Sequence, residues 1–342
     1  MAFTIKKHPY YKYNKICSYN AVFNYIVGGR GLGKTYGAKV RVVRKFIKSG
    51  EQFILLRRHK GELDSRETFF DDFLTEFPDW DFRVKGFAAQ IAPVSTRDDE
   101  SREWDTMGWF IALSQGQSHK GRPFPRVTTI IFDEFILEEG LVHYLKNEAK
   151  KMKDFYNTVD RSQDKTTVFF LANAVSIMNP HFLEYKVMPV EGQEFMILGG
   201  GFLAVHFPDP KDFADSVYEG RFGRFIQDTE YGEYAVGNVF EDNHQAFIEL
   251  KDGKAKYQYT VKSKTGTFSL WYNNNSGKYY AQEKLPGNQT IHNLVPEKLA
   301  EGEFQALLSD SIFDYLRRAW RRDKMRFDNP STRNIFTEIF KR

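Results

Sequence analysis

Gly28-Gly29-Arg30-Gly31-Leu32-Gly33-Lys34-Thr35 fits the phosphate-binding pattern G-x-x-x-x-G-K-[ST] without a mismatch. Ahead of it, Val22 to Val27 reads as a short buried strand, and behind it Lys34 to Lys48 reads as a helix. Strand, glycine turn and helix N-terminus together make a concave, electropositive site suited to β- and γ-phosphates. Lys34 adds a mobile charge and Thr35 a hydroxyl for Mg²⁺. A chance match within an ordinary glycine turn is the plain alternative, and the strand before and helix after argue against it.

Working outward, Thr128 to Phe132 (TTIIF) is the strongest strand signal in the chain, and Asp133-Glu134 end it. An Asp in this place holds the Mg²⁺ shell, and a Glu beside it can orient and deprotonate the attacking water. Two carboxylates at a strand end also suit a plain surface turn. The Glu decides the class: GTPases and nucleoside kinases do not generally need a base there, and no Asn-Lys-x-Asp guanine motif occurs, so ATP hydrolysis is favoured. Thr166 to Ala172 is a further buried strand ending at Asn173, a γ-phosphate sensor or simply a strand cap. Arg161, between a helical stretch and that strand, suits an arginine finger reaching a neighbouring subunit's ATP; Arg30, inside the loop, is a second candidate acting in cis. His119, Lys120 and Arg122 form a basic loop before the Asp133 strand, suited to DNA contact or to plain solvation.

Other apolar strands are expected at Gln52 to Arg58, which ends in two arginines, and at Trp109 to Ser114. Asp64 to Phe77 and about Gly140 to Arg161 carry helical character. Apolar strands alternating with helices predict a mainly parallel sheet covered on both faces, with ligands beyond the carboxyl ends of its strands. Gly28, Asp133 and Asn173 all fall at such ends. After about Pro208 the pattern changes. Asp209 to Thr229 reads as a helical connector, and Tyr231 to Asn243 as a polar stretch. Three short strands follow, Lys256 to Lys262, Thr267 to Tyr272 and Lys278 to Lys284, whose turn residues favour an antiparallel meander. A helix-rich tail runs from Pro296. The expected domains are therefore 1–208, a linker 209–240, and 241–342.

With 342 residues, 41% hydrophobic and 16% aromatic, the chain can bury a real core, and global disorder is excluded. A single Cys17 forms no internal disulfide, and no Cys/His spacing suits zinc, which fits a reducing compartment. No run approaches the ~20 apolar residues of a membrane span, and no export signal is expected. The net charge of +4 is unevenly placed: Ala235 to Arg342 holds 17 Lys and Arg against 13 Asp and Glu, and the remainder 32 of each. Within that third, Arg317, Arg318, Arg321 and Arg322 flank Trp320, an arrangement suited to phosphate contact or to a helix that packs its Trp inward.

GGRGLGKT, IIFDE and LANAVSIMNPHF together resemble the DNA packaging ATPases of small tailed phages of the phi29 type, relatives of the large terminases. The resemblance covers Tyr13 to about Phe182 by motif and the rest by architecture. It implies an α/β phosphate-loop NTPase domain of the ASCE type, plus a smaller α+β C-terminal domain resembling RNase H. By position, Gly28 to Thr35 match the phosphate loop, Thr35 and Asp133 the Mg²⁺ site, Glu134 the base, Asn173 the sensor and Arg161 the trans-acting finger. It further implies a homopentameric ring in the host cytoplasm, docked transiently on the portal of a procapsid and driving double-stranded DNA inside with ATP and Mg²⁺. An auxiliary packaging RNA is left open. True terminases cut DNA with clustered acids on two Mg²⁺, but Lys256 to Lys262 carries no acid, so a nuclease-inactive binding domain is expected. The alternatives are a nucleotide-gated structural or nucleic-acid-binding module and a helicase or recombination ATPase of similar core.

Overall fold

A computed structural model describes residues 10–137, 143–175, 179–187, 189, 193–209, 211–229, 232, 235–236, 247–322 and 324–340. The chain folds as two compact units, Met1–Tyr185 with Pro189–Asp242, and Lys186–Met188 with Asn243–Arg342. The segment 209–240, read as a linker, is counted with the first unit, where Phe213 is buried and the Ala235 carbonyl accepts the Arg30 amide at 2.7 Å. Most of the polar stretch Tyr231 to Asn243 lies outside the described residues, as do 140–142 of the stretch read as helical and 176–178 of the LANAVSIMNPHF motif.

In chain order the first unit comprises α1 (Asn14–Ser18), β1 (Phe23–Gly28), α2 (Lys34–Ser49), β2 (Gln52–Arg57), β3 (Trp80–Lys85), β4 (Ala88–Pro93), β5 (Asp105–Ala112), β6 (Val127–Asp133), α3 (Glu148–Asp160), β7 (Thr167–Asn173), α4 (Pro180–Tyr185), β8 (Phe195–Leu198), β9 (Leu203–His206), α5 (Lys211–Tyr218) and α6 (Arg221–Ile226). Among the described residues its strands form one sheet of order β3-β4-β5-β2-β6-β7-β1-β9-β8. The run from β5 to β9 is parallel throughout. Antiparallel partners close both edges. β7 is the additional strand between the phosphate-loop strand β1 and the acidic strand β6.

Every residue of β1 is buried, as a parallel strand covered on both faces requires. Neighbouring residues of β7 show the two faces: the Phe169 ring meets Tyr13 at 5.2 Å, while Phe170 stacks on Tyr25 at 4.1 Å and meets Phe135 at 5.8 Å. α2 starts at the glycine turn and stops at Gly50, whose φ of 69° is the left-handed conformation that ends helices cheaply in glycine.

One expectation needs correction here, and four strands went unread. The stretch Asp64 to Phe77 is not an α-helix but two short 3₁₀ segments, Lys60–Thr68 and Leu74–Glu76. Its phenylalanines point several ways: Phe69 packs on Phe53 and Phe110, and Phe70 and Phe73 pack on Phe82. One helical stripe cannot serve all of those partners. The outer strands β3, β4, β8 and β9 carried no distinct signal: β3 and β8, at the two edges, are partly exposed, and β8 and β9 are only four residues long.

The second unit comprises β10 (Lys256–Lys262), β11 (Thr267–Asn273), β12 (Lys278–Gln282), β13 (Ile291–Asn293), β14 (Phe304–Gln305), α7 (Asp314–Arg321), β15 (Met325–Phe327) and α8 (Pro330–Phe340). Its sheet runs β14-β13-β10-β11-β12-β15. β10, β11 and β12 form the expected antiparallel meander, β13 joins β10 in parallel, and β14 joins β13 in parallel. β15 joins β12 in parallel at the other edge. Phe268, Leu270 and Ala281 of the sheet, Leu316 of α7 and Phe336 of α8 share its core.

Candidate nucleotide site

Parallel register brings the sequence candidates to one end of the sheet. Gly28 pairs with Asn173, and Asp133 pairs with Leu171, so the carboxyl ends of β1, β7 and β6 lie side by side. Gly31 (φ 83°) and Gly33 (φ 77°) turn the chain between β1 and α2 in a conformation that L side chains rarely adopt. A Cβ on Gly33 would lie 2.6 Å from the Tyr10 ring, so the loop tolerates no added bulk there.

Lys34 is buried and folded back across this loop. Its Nζ donates to the carbonyls of Gly28 (2.9 Å) and Gly29 (2.8 Å) and to Asn173 Oδ1 (3.2 Å). Burial pulls the Lys34 pKa down to about 8, with Arg30 adding to the effect and Asp133 opposing it. The ammonium is thus held where an anion would relieve its desolvation. Thr35 Oγ1 donates to Asp133 Oδ1 at 3.0 Å, the pairing of hydroxyl and carboxylate that suits a Mg²⁺ completed by phosphate oxygens. Among the described residues no group of three or more His, Cys, Asp or Glu side chains could hold a metal by itself. Two protein ligands beside a phosphate cradle are what a hard, reluctantly dehydrated cation requires. The loop and its neighbours therefore fit a Mg²⁺-nucleotide. Arg30 is exposed, and its amide is engaged with Ala235 rather than facing the cradle.

Two residues that sequence reasoning left without a role complete the site. Leu56 of β2 pairs with Phe132 of β6, which sets the end of β2 beside the acidic pair. Arg57 there makes ion pairs with Asp133 Oδ2 (3.1 Å) and Glu134 Oε2 (2.6 Å), and those carboxylates hold its charge against the opposing effect of burial. Arg58, the next residue, is fully buried and points to the other side. It is bidentate to Glu148, with Nε at 2.7 Å and Nη2 at 2.9 Å from the carboxylate oxygens. Glu134 itself adopts φ 57°, a left-handed backbone that costs a non-glycine residue roughly 1–2 kcal/mol. The two arginines at the end of an apolar strand were the available signal; what hid their roles was which strand lies next to which. A cavity of about 110 Å³, lined by Thr35, Lys39, Arg57, Glu62, Ser65 and Asp133, adjoins the acidic pair.

Arg161 lies elsewhere. It caps the end of α3 just before β7 begins, so it is separated from its own phosphate loop by the length of that strand, on the order of 20 Å. There its Nη2 donates to the Gly121 carbonyl at 3.4 Å, and an open depression of about 400 Å³ is lined by Lys120, Gly121, Lys150, Asp154, Asn157 and Arg161. Arg161 and Lys120 are thus brought together, away from the site in the same chain. In the second unit, Trp320 packs inward on Phe327 and Phe336, both at 5.7 Å, while Arg321 and Arg322 are exposed. Arg317 pairs with Asp314 at 2.9 Å, and Arg318 lies over the Tyr315 ring at 4.8 Å. The inward Trp and the outward arginines coexist on one helix. Asp323 in that run lies outside the described residues.

Among the described residues no helix is long and apolar enough to cross a membrane. The DNA packaging protein of Bacillus phage phi29 is 34% identical over 341 residues, 98% of each chain, and that of Bacillus phage PZA is 33% identical over the same share. The subunit of the bacteriophage phi29 viral genome packaging motor assembly superposes with a TM-score of 0.77 at 33% identity, over 97% of this chain and 99% of that one. The crystal structure of the N-terminal domain of the phi29 DNA packaging ATPase matches 58% of this chain and 96% of its own, with a TM-score of 0.52 at 36% identity. The family model for the podovirus DNA encapsidation protein (Gp16) matches residues 5–342, and the chain belongs to that family.

Proposed function

We propose that the chain is an ATP-driven motor subunit that moves double-stranded viral DNA into a procapsid. The observation that carries this reading is the convergence of Lys34, Thr35, Asp133, Glu134 and Asn173 at one sheet end, with Thr35 Oγ1 3.0 Å from the Asp133 carboxylate. Its support is membership in a family of DNA encapsidation proteins and the likeness to a subunit of the phi29 packaging motor.

In this reading Lys34 exchanges the loop carbonyls for phosphate oxygens, regaining a partner for its buried charge. Thr35 and Asp133 would hold Mg²⁺, which when bound neutralises charge on the phosphate oxygens. Glu134 takes the proton of the attacking water at its carboxylate. Arg57 holds that carboxylate at rest, so Glu134 serves as base only once the ion pair is released. Asn173, on Lys34 in the resting site, orients the water or senses the terminal phosphate, and Arg30 adds positive charge from the loop. Arg161, remote from its own loop, acts on the ATP of a neighbouring subunit in a ring. The ring is a homopentamer docked at the portal, with or without a packaging RNA. The second unit binds nucleic acid or procapsid through Arg317, Arg318, Arg321 and Arg322, with Lys120 contributing a DNA contact from the first unit. It does not cut DNA, a reading supported by the acid-free strand β10.

The test is packaging of DNA into procapsids with the protein added or omitted. DNA should become nuclease-protected only with the protein and hydrolysable ATP present. Protection that is equal without ATP, or absent under every condition in which the ring assembles on procapsids, refutes the motor reading.

A further inference from the structure

The pair Arg58 and Glu148 is costly by design: neither side chain is exposed, and both charges have left water. Such a pair persists only where its remaining donors and acceptors are satisfied, and here the extra hydrogen bonds lead to the catalytic segment. Arg58 Nη1 donates to the Glu134 carbonyl at 3.2 Å and Nη2 to the Phe135 carbonyl at 2.7 Å. Those two carbonyls follow directly on the left-handed residue Glu134, whose backbone aims the side chain. Glu148 is itself tied down, accepting the Leu145 amide at 2.9 Å beside His181 Nε2 at 3.5 Å. Burial alone would push the Glu148 pKa up, but His181 and Arg58 outweigh it and hold the pKa at about 2, so the carboxylate stays charged and the fork stays engaged. The guanidinium carbon also lies 4.9 Å from the centre of the Tyr144 ring and 5.6 Å from that of Phe132, two aromatic contacts that favour a planar cation.

We infer that Arg58, oriented by Glu148, is a positioning residue for hydrolysis: it clamps the main chain of Glu134 and Phe135 in the left-handed turn that presents the Glu134 carboxylate to the site. Arg57 and Arg58 then divide the control of one glutamate, Arg57 acting on its side chain and Arg58 on its backbone. The inference rests on the reading of Glu134 as the base.

The experiment uses the full chain and two variants, the double replacement Arg58→Met with Glu148→Leu, and Arg58→Lys alone. The first removes both buried charges in similar volume, a change that often leaves folds intact; the second keeps the charge but not the fork. Each is assayed well below its own Tm, with circular dichroism showing it folded. Three quantities are read: ATP affinity with a fluorescent analogue, kcat and KM for phosphate release, and amide exchange of the peptide spanning Glu134 to Leu137. The clamp predicts at least tenfold faster exchange of that peptide, kcat lowered at least tenfold, and affinity within about threefold of wild type. Exchange and kcat at wild-type values in either folded variant overturn it. Should the wild-type chain bind ATP without hydrolysing it, the base reading falls, while the exchange measurement still decides whether the clamp exists.

Discussion

Glu134→Gln separates binding from chemistry, because the two adjacent carboxylates differ sharply in burial. The Glu134 side chain is 65% exposed and its ion pair with Arg57 lies at the rim; Asp133 is 8% exposed and held by both Thr35 and Arg57. Losing a rim ion pair costs about 0–1 kcal/mol, which in a unit of this size moves Tm by no more than about 3 °C. The affinity for ATP should stay within about threefold, since Lys34, Thr35 and the loop are untouched. Loss of a general base, by contrast, lowers turnover about 10²–10⁴-fold, equivalent to roughly 3–5 kcal/mol of barrier. Phosphate release under saturating Mg²⁺-ATP, with and without DNA, measures the first effect; titration of a fluorescent nucleotide and a thermal melt measure the others. A folded Glu134→Gln protein turning over within about tenfold of wild type refutes the base assignment. Parallel loss of ATP binding would instead make Glu134 a binding residue. Asp133→Asn is the contrast: it should weaken Mg²⁺-nucleotide binding as well, because it strips a buried carboxylate from Thr35 and Arg57.

Arg161→Ala and Lys34→Ala subunits, each inactive alone, should recover some hydrolysis when mixed if Arg161 serves a neighbour's site; no recovery at any ratio in assembled rings counts against action in trans. Reversing Arg321 and Arg322 to Glu should weaken binding to DNA or procapsid and flatten its dependence on log salt by up to about 2 units, at roughly 0.9 per phosphate contact; binding unaltered in strength and salt slope assigns those arginines to solvation only. His206 is neutral in the fold: burial, with a smaller effect of Lys15, pushes its pKa down to about 3, and its Nδ1 lies 2.7 Å from the Tyr11 hydroxyl. Because the unfolded chain takes up this proton near pH 6.5 and the folded one near 3, the contribution is whole above 6.5. It is lost on acidification at about 1.4 kcal/mol per pH unit across that window. Urea unfolding of the first unit at pH 7, 6 and 5 should show that slope, reduced in His206→Gln; identical slopes in both proteins would exclude His206 as its source.

Local pattern made the centre of the first unit legible. The strand, glycine turn and helix at Gly28 to Thr35 obey short-range rules, and buried parallel strands read as apolar runs, so β1, β2, β6 and β7 could be placed by eye. The meander β10 to β12 was equally legible, because its turns carry Lys-Thr-Gly and Asn-Ser-Gly signals. What escaped was whatever depends on partners far along the chain. β8 and β9 are four-residue strands at one side of the sheet, too short for a run to stand out until β9 is laid against β1 and β8 against β9. The Phe-rich segment after Arg66 imitates an amphipathic helix, yet its aromatic rings are claimed by Phe53, Phe82 and Phe110 on three separate strands.

The adjacent arginines at the end of β2 show why a site can be half read from sequence. Arg57 is the last residue of β2 and Arg58 the first beyond it, and there the chain sends one side chain to the acidic pair and the other into the interior. An exposed pair would need no further account. β2, however, lies directly against β6, and that adjacency places the pair beside Asp133 and Glu134 rather than beside water. Arg57 then meets the two carboxylates, and Arg58 requires a buried counter-charge, which α3 supplies as Glu148 from 90 residues further on. No spacing rule connects residues 58, 134 and 148; only the pairing of β2 with β6 and the docking of α3 do. A substitution that slid β2 by one residue against β6 would therefore carry Arg57 away from the two carboxylates and Arg58 away from Glu148 together. The register of one strand pair is for that reason as much a part of the hydrolytic site as the glycine loop that first revealed it.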